Sequence, residues 1–168
     1  YSVNNQKDTH TTKSRGLDFQ LSKDITENYQ TILGFNPVWN INDSTSSGKH
    51  DYYVLSGYFQ NKWDVFENLR LDFGARVDDY SNFGTEINPS LSFLYSVTDW
   101  AKLRGSISRS FRAPTFNDLY WPDEGPLGSK GNPNVQPEKG ISKEIGVETE
   151  INKFLTPSVT YFRNDYKD

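Results

Sequence analysis

From Leu69 to Val77 every second residue is apolar: Leu69, Leu71, Phe73, Ala75 and Val77, with Arg70, Asp72, Gly74 and Arg76 between them. A strand sends successive side chains to opposite faces, so this stretch has one apolar face and one charged face. The same period recurs. Ile87, Leu91, Phe93, Tyr95 and Val97 alternate with Asn88, Ser90, Ser92 and Ser96; Leu103 and Ile107 with Arg104, Ser106, Ser108 and Ser110; Ile145, Val147 and Ile151 with Glu144, Glu148 and Glu150. A helix would spread such residues around its circumference. The chain is therefore expected to build a sheet with two unlike faces. Leu69, Leu71, Phe73 and Val77 should share one face, and Arg70, Asp72 and Arg76 the other, since a slip of one residue inverts every side chain.

The pattern predicts an all-β antiparallel up-and-down meander of about eight long strands, at 15–24, 28–41, 51–65, 69–80, 86–97, 101–112, 141–151 and 155–166. Short connections at 24–27, 66–68, 98–100 and 152–154 alternate with longer polar ones at 42–50, 79–85 and 113–140. Tight turns on one side and long loops on the other are the pattern of a transmembrane barrel, whose strands need about 9–11 residues. Rings gather near strand ends: Trp63, Phe66, Trp100 and Phe154 toward the short turns, and Trp39, Tyr52, Tyr53, Tyr80 and Phe83 toward the long loops. They are expected to form two interfacial girdles. The alternative is a soluble sandwich or small barrel whose apolar faces point inward.

Composition narrows the function. Aromatic residues supply 15% of a chain that is only 34% hydrophobic, so rings carry much of the apolar surface and disorder is excluded. No run of 18 apolar residues is present, so no spanning helix is predicted. The net charge of −4 and the lack of a basic run argue against nucleic acid. Without cysteine there are no disulfides or thiolate metal sites. Methionine is absent even at position 1, so Tyr1 reads as the start of a processed product or an excised segment, with any signal peptide upstream.

Residues 113–140 break the alternation. Pro114, Pro122, Pro126, Pro133 and Pro137 cannot donate to a ladder, and Gly125, Gly128 and Gly131 permit turns, so this stretch should leave the sheet and form the longest connection. Arg112 stands where a strand enters the loop and Glu138 where it returns, and a pair between them would pin the loop base. Tyr120 and Trp121, rings on a loop, are ligand candidates, because rings offer apolar area at low entropic cost. A loop packed on itself is the competing reading.

Catalysis has little to draw on. His10 and His50 lie in polar, loop-like surroundings and are expected to be solvated. Asp78 and Asp79 should face opposite sides, and Asp123 and Glu124 lack a spaced series of oxygen ligands. No phosphate-binding loop, dinucleotide fingerprint or nucleophile elbow is present. No cofactor, metal site or catalytic residue is predicted.

The segment Phe111-Arg112-Ala113-Pro114 leading to Asn117-Asp118-Leu119-Tyr120, with Gly131-Asn132-Pro133-Asn134-Val135-Gln136-Pro137-Glu138-Lys139, closely resembles TonB-dependent outer-membrane receptors. So do Gly74-Ala75-Arg76-Val77-Asp78, Asn88-Pro89-Ser90-Leu91-Ser92, Glu144 to Glu148 and Tyr161 to Asp165. Tyr120-Trp121-Pro122 with the Gly131 motif looks most like the vitamin B12 (cobalamin) branch, although iron-siderophore receptors share most of these words. The resemblance implies a segment of a roughly 22-stranded barrel. A plug, a TonB-contacting segment and the barrel C-terminus would then lie outside residues 1–168. It implies binding of a scarce nutrient, cobalamin or a ferric siderophore, for TonB-energised import across the bacterial outer membrane. Asn117, Asp118, Tyr120 and Trp121 would contact that ligand. Arg70, Asp72, Arg76, Arg104, Glu144 and Glu148 would line the lumen toward the plug, and lipid would meet the other face. Two rivals stay open: an autonomous soluble or passive-pore β-protein, and an outer-membrane lipase or protease, which would need a histidine on a barrel strand.

Overall fold

The computed structural model describes residues 9–126 and 128–167, so Tyr1 lies outside the described residues. The alternating segments form one antiparallel sheet of nine strands. These are β1 (His10–Gly16), β2 (Phe19–Thr26), β3 (Tyr29–Ser44), β4 (Gly48–Phe66), β5 (Leu69–Tyr80), β6 (Gly84–Thr98), β7 (Ala101–Arg112), β8 (Glu138–Thr149) and β9 (Ser158–Lys167). One short helix, α1 (Phe116–Tyr120), follows β7. From β3 to β9 each strand pairs with the next in sequence, the up-and-down order expected. The sheet is open, with β1 and β2 at one edge and β9 at the other.

There are nine strands rather than eight because the strand anticipated at 15–24 is divided. β1 pairs with Val38–Ser44 and β2 with the first part of β3, so the two lie end to end along one neighbour. The break falls opposite Pro37. Leu17 still donates its N–H to the Pro37 carbonyl (3.1 Å), but Pro37 has no N–H to return. The Asn36 side chain supplies the missing donor, its Nδ2 reaching the Leu17 carbonyl at 2.7 Å.

Two of the anticipated long loops are mostly strand. Asn42 pairs with His50, Asp43 with Lys49 and Ser44 with Gly48, and β5 meets β6 as far as Tyr80 opposite Gly84. Ladder bonds are made by backbone, so polar residues continue them. The reversals are tight because Gly48 and Gly84 take positive φ, +80° and +95°. At the other end the connection is longer than expected and runs over 150–157. Strict alternation of short and long therefore fails; 113–137 is the longest connection, as its prolines and glycines require.

The faces sort by parity. In register, Gln60, Lys62 and Asp64 face Gly74, Asp72 and Arg70, while Phe59, Asn61 and Trp63 face Ala75, Phe73 and Leu71. Arg76, Arg104, Glu144 and Glu148 fall on the first, polar face. The apolar face is not covered by a second layer. Among the described residues Val54 and Leu119 are the buried apolar side chains, whereas Leu33, Phe35, Trp39, Phe59, Ile87 and Ile145 are all exposed. A sandwich or small barrel with inward apolar faces does not fit this.

On the apolar face Trp39 lies directly opposite Tyr53, and Tyr29 opposite Trp63. From Tyr53 to Trp63 is about 33 Å of strand, which a tilt of about 45° reduces to a band about 23 Å tall. That is the height of a lipid-facing barrel belt. Near its lower edge the buried Asn61 carbonyl oxygen accepts from Tyr29 Oη (2.8 Å) and Thr31 Oγ1 (2.7 Å), so this polar trio is satisfied internally. Tyr52 and Tyr80, expected in the upper girdle, have the other parity and point to the polar side; Phe83 packs on Tyr80.

Candidate functional site

The polar face ends, at the long-loop side, in a cluster built by β1, β4, β5, β7, β8 and the 113–137 connection. Arg112 and Glu138 are cross-strand partners at the last rung of β7 and β8. The guanidinium grips the carboxylate with two arms, Nε to Oε2 at 3.0 Å and Nη2 to Oε1. A planar fork on a carboxylate fixes orientation as well as distance. Arg112 Nη1 also lies 3.6 Å from Asp118 Oδ2, which ties the loop base to α1.

α1 is started by a capping box. Thr115 Oγ1 accepts from the Asp118 N–H (3.2 Å) and the Asp118 carboxylate accepts from the Thr115 N–H (2.8 Å). The bond from the Thr115 backbone chiefly holds the Asp118 carboxyl below its usual value, with the Thr115 hydroxyl and the Arg112 charge adding to it. Leu119 is buried beneath the helix. The returning segment packs tightly: Gly131 donates to the Trp121 carbonyl (2.9 Å) and Asn132 to that of Asp118 (2.8 Å). A Cβ at Gly131 would stand 2.4 Å from the Trp121 nitrogen, so no larger residue fits. At the tip, Lys130 meets Asp123 at 2.7 Å, and that bond lowers the Asp123 carboxyl.

Helix α1 lays its rings on the strands. Tyr120 stacks on His50 of β4 with centroids 3.6 Å apart and planes within 2°. Trp121 faces His10 of β1 at 6.4 Å and Phe116 meets Tyr52 at 5.2 Å. Tyr52 continues to Tyr80 (6.0 Å), and Tyr80 to Phe83 (4.3 Å) and Phe111 (5.7 Å). Phe116 also meets Tyr120 (6.5 Å), so the rings from His50 to Phe111 form a connected platform, with the Trp121–His10 pair next to it and Asn117 and Asp118 exposed alongside.

The histidines are thus not the loop residues anticipated, although His10 is exposed as expected and His50 is half-buried. Both are on strands, His10 opening β1 and His50 within β4. Their ring partners are distant in sequence, and no local signal announces them. His50 Nε2 faces the Ser47 carbonyl (2.7 Å) rather than a hydroxyl, so no nucleophile–base pair is formed there.

Further down the polar face the charges pair. Arg70 meets Asp64 (2.6 Å) and Arg104 meets Glu144 (3.0 Å); Arg76 meets Asp78 (2.7 Å), and buried Asp78 accepts from Ser56 (2.6 Å). Asp72 Oδ1 and Asn88 Oδ1 are buried without a hydrogen-bond partner among the described residues. Asn88 borders a cavity of about 380 Å³ lined also by Tyr58, Gln60, Gly74 and Arg76.

Residues 1–168 match the family described as TonB dependent receptor-like, beta-barrel. The chain is 32% identical over 117 residues to the iron-regulated outer membrane virulence protein of Vibrio cholerae, covering 67% of this chain and 18% of that protein. It is 37% identical over 93 residues to the vitamin B12 transporter BtuB of Vibrio vulnificus, covering 55% and 14%. The siderophore receptor PirA from Pseudomonas aeruginosa superposes with a TM-score of 0.80 at 24% identity, over 94% of this chain and 32% of that one. The chain spans about a fifth of the length of the curated relatives it matches.

Proposed function

We propose, from the premise that the chain belongs to the family of TonB-dependent receptor β-barrels of the bacterial outer membrane, that it forms a wall and mouth segment of a nutrient importer. Its ligand is a chelated micronutrient, a ferric siderophore or cobalamin. The rest of the barrel, a plug and the TonB-contacting segment would come from outside residues 1–168. In this reading the polar face is the lumen. Arg70, Asp72, Arg76, Arg104, Glu144 and Glu148 line it, and the buried acceptors on Asp72 and Asn88 await donors from the plug. The protein acts as a transporter and not as an enzyme.

The observation that carries this reading is the platform of Phe116, Tyr120 and Trp121 held over the polar face, at the end of strands that expose apolar side chains on their other face. Iron chelates and cobalamin are large, partly flat molecules that bury well against rings. Asn117 and Asp118, exposed beside the rings, supply polar contacts, while Arg112 and Glu138 hold the base. A siderophore receptor and a vitamin B12 transporter both stand among the similar proteins, so both nutrient classes are kept.

The test is titration of the full-length receptor with cobalamin and with ferric siderophores. Saturable binding of one class, lost when residues 116–131 are replaced by a glycine-serine linker, supports the reading. Binding unaffected by that replacement places the ligand elsewhere.

A further inference from the structure

Among the described residues, each cation that the ring-bearing elements and β8 turn toward the mouth already holds a carboxylate. Arg112 carries both Glu138 and Asp118, so two negative charges share one guanidinium at the loop base. Lys130 is taken by Asp123 at the tip, and Arg76 by buried Asp78. Arg109 Nη2 (3.0 Å) and Lys139 Nζ (2.8 Å) converge on Glu86, whose side chain is only 8% exposed. Drawing either cation away would leave a buried carboxylate short of its partner. Glu124, whose Oε2 accepts the Ser129 N–H (3.2 Å), meets no cation among the described residues. Lys13, Arg15 and Lys49, on β1 and β4, have the parity of Trp39 and Tyr53 and face the other way.

The rings add to this balance. The face of an aromatic ring carries the negative part of its quadrupole, so it attracts cations and repels anions. Phe116 and Tyr120 flank Asp118 in α1, which is exposed and, with its carboxyl held below the usual value, ionised at neutral pH. The uncharged polar groups alongside are the exposed Asn117 amide and Ser110 hydroxyl. An anion seated on the platform would have to take its cation from a carboxylate that then stands beside it.

We propose that this mouth selects by charge: the nutrient it takes is a chelate or corrinoid without net negative charge, and polyanionic ferric catecholates are turned away. The inference rests on the reading that ligand seats on the platform of Phe116, Tyr120 and Trp121. The rings bury the flat apolar surface of the ligand, Asn117 and Ser110 meet its carbonyl and amide groups, and Asp118 and Glu138 set the sign of the potential. Capture is then driven by buried area at short range rather than by steering of charge from a distance.

The experiment is equilibrium titration of the full-length receptor with ferrichrome, an uncharged ferric trihydroxamate, with cyanocobalamin, also uncharged, and with ferric enterobactin, a triply negative tris-catecholate. At least one uncharged probe should bind, with a Kd that stays flat as NaCl is raised. Ferric enterobactin should bind roughly a hundredfold more weakly, the scale of like charges brought together, and salt should strengthen what binding it has by screening the repulsion. Asp118→Asn and Glu138→Gln should each raise the ratio of ferric enterobactin affinity to uncharged-probe affinity roughly tenfold, because one carboxylate facing the anion is gone. A loosened loop would weaken every probe and leave that ratio unchanged. Ferric enterobactin binding as tightly as the uncharged probes, or weakening as salt is raised, overturns the proposal, as does an unchanged ratio in both variants. If such binding is lost when residues 116–131 are replaced by the glycine-serine linker, the import reading stands and charge selection alone has failed. If no probe binds, both fall.

Discussion

Tyr120 and His50 lie face to face at the mouth, and what each contributes depends on whether the Tyr120 ring also meets ligand. A ring contact contributes about 0.5–1.5 kcal/mol beyond its buried area. In the full-length receptor Tyr120→Ala and Trp121→Ala should therefore weaken nutrient binding by roughly tenfold each. Heat-modifiable gel mobility should stay normal, because neither residue belongs to the ladder. Unchanged affinity for both cobalamin and iron chelates would leave these rings a packing role only. Asp118 makes a prediction in pH. Its carboxyl is held below the usual value by the Thr115 backbone first, so the cap is fully formed above the ordinary carboxylate range and is lost as pH falls through the depressed value. Trp121 fluorescence should report loosening of α1 only below about pH 4, and Asp118→Asn should abolish that transition. A titration flat to pH 2 would detach the cap from the stability of the loop.

Among the strands, the edge formed by β1 and β2 shows how one proline sets a boundary that a neighbouring side chain mends. Asn36→Ala leaves the Leu17 carbonyl without its donor and should cost about 1 kcal/mol. Hydrogen exchange at Leu17 and Phe19 in the assembled barrel would rise; an unchanged rate would mean that water replaces the amide without loss. The 113–137 connection is anchored at its base and around α1, and its tip holds by turns and the Lys130–Asp123 pair. Limited proteolysis should cut first within 122–130. First cleavage within 69–77, deep in the ladder, would contradict the topology.

For the molecule as a whole, the decisive quantity is what meets the apolar face. Leu71 sits beside Trp63, close to the lower girdle, whereas Leu33 lies opposite Phe59 near the middle of the band. Leu33→Arg should cost about 2–4 kcal/mol of barrel stability in lipid, and Leu71→Arg only about 0–1, since charge near the interface reaches water. Asp72 variants, on the other face, should resemble Leu71 rather than Leu33. Denaturant unfolding of the refolded full-length barrel in bilayers would rank them, and equal costs for Leu33 and Leu71 would show that the face is not graded by depth.

The sequence by itself determined the faces and the ladder, because parity is a local property of the backbone. Leu69, Phe73 and Val77 were legible as one side, and β5 and β7 ran over the residues expected, since two apolar neighbours can be counted without knowing what covers them. The prolines and glycines likewise announced 113–137 as outside the sheet. Only the tertiary structure decided which polar stretches at 42–50 and 79–85 keep pairing, since ladder bonds carry no side-chain signature. It also decided that Tyr52 and Tyr80 leave the girdle for the mouth, and that His50 stacks under Tyr120 rather than standing in a loop. These side chains are brought together by a loop that closes over strands far away in sequence, and contacts of that separation leave no periodicity to read.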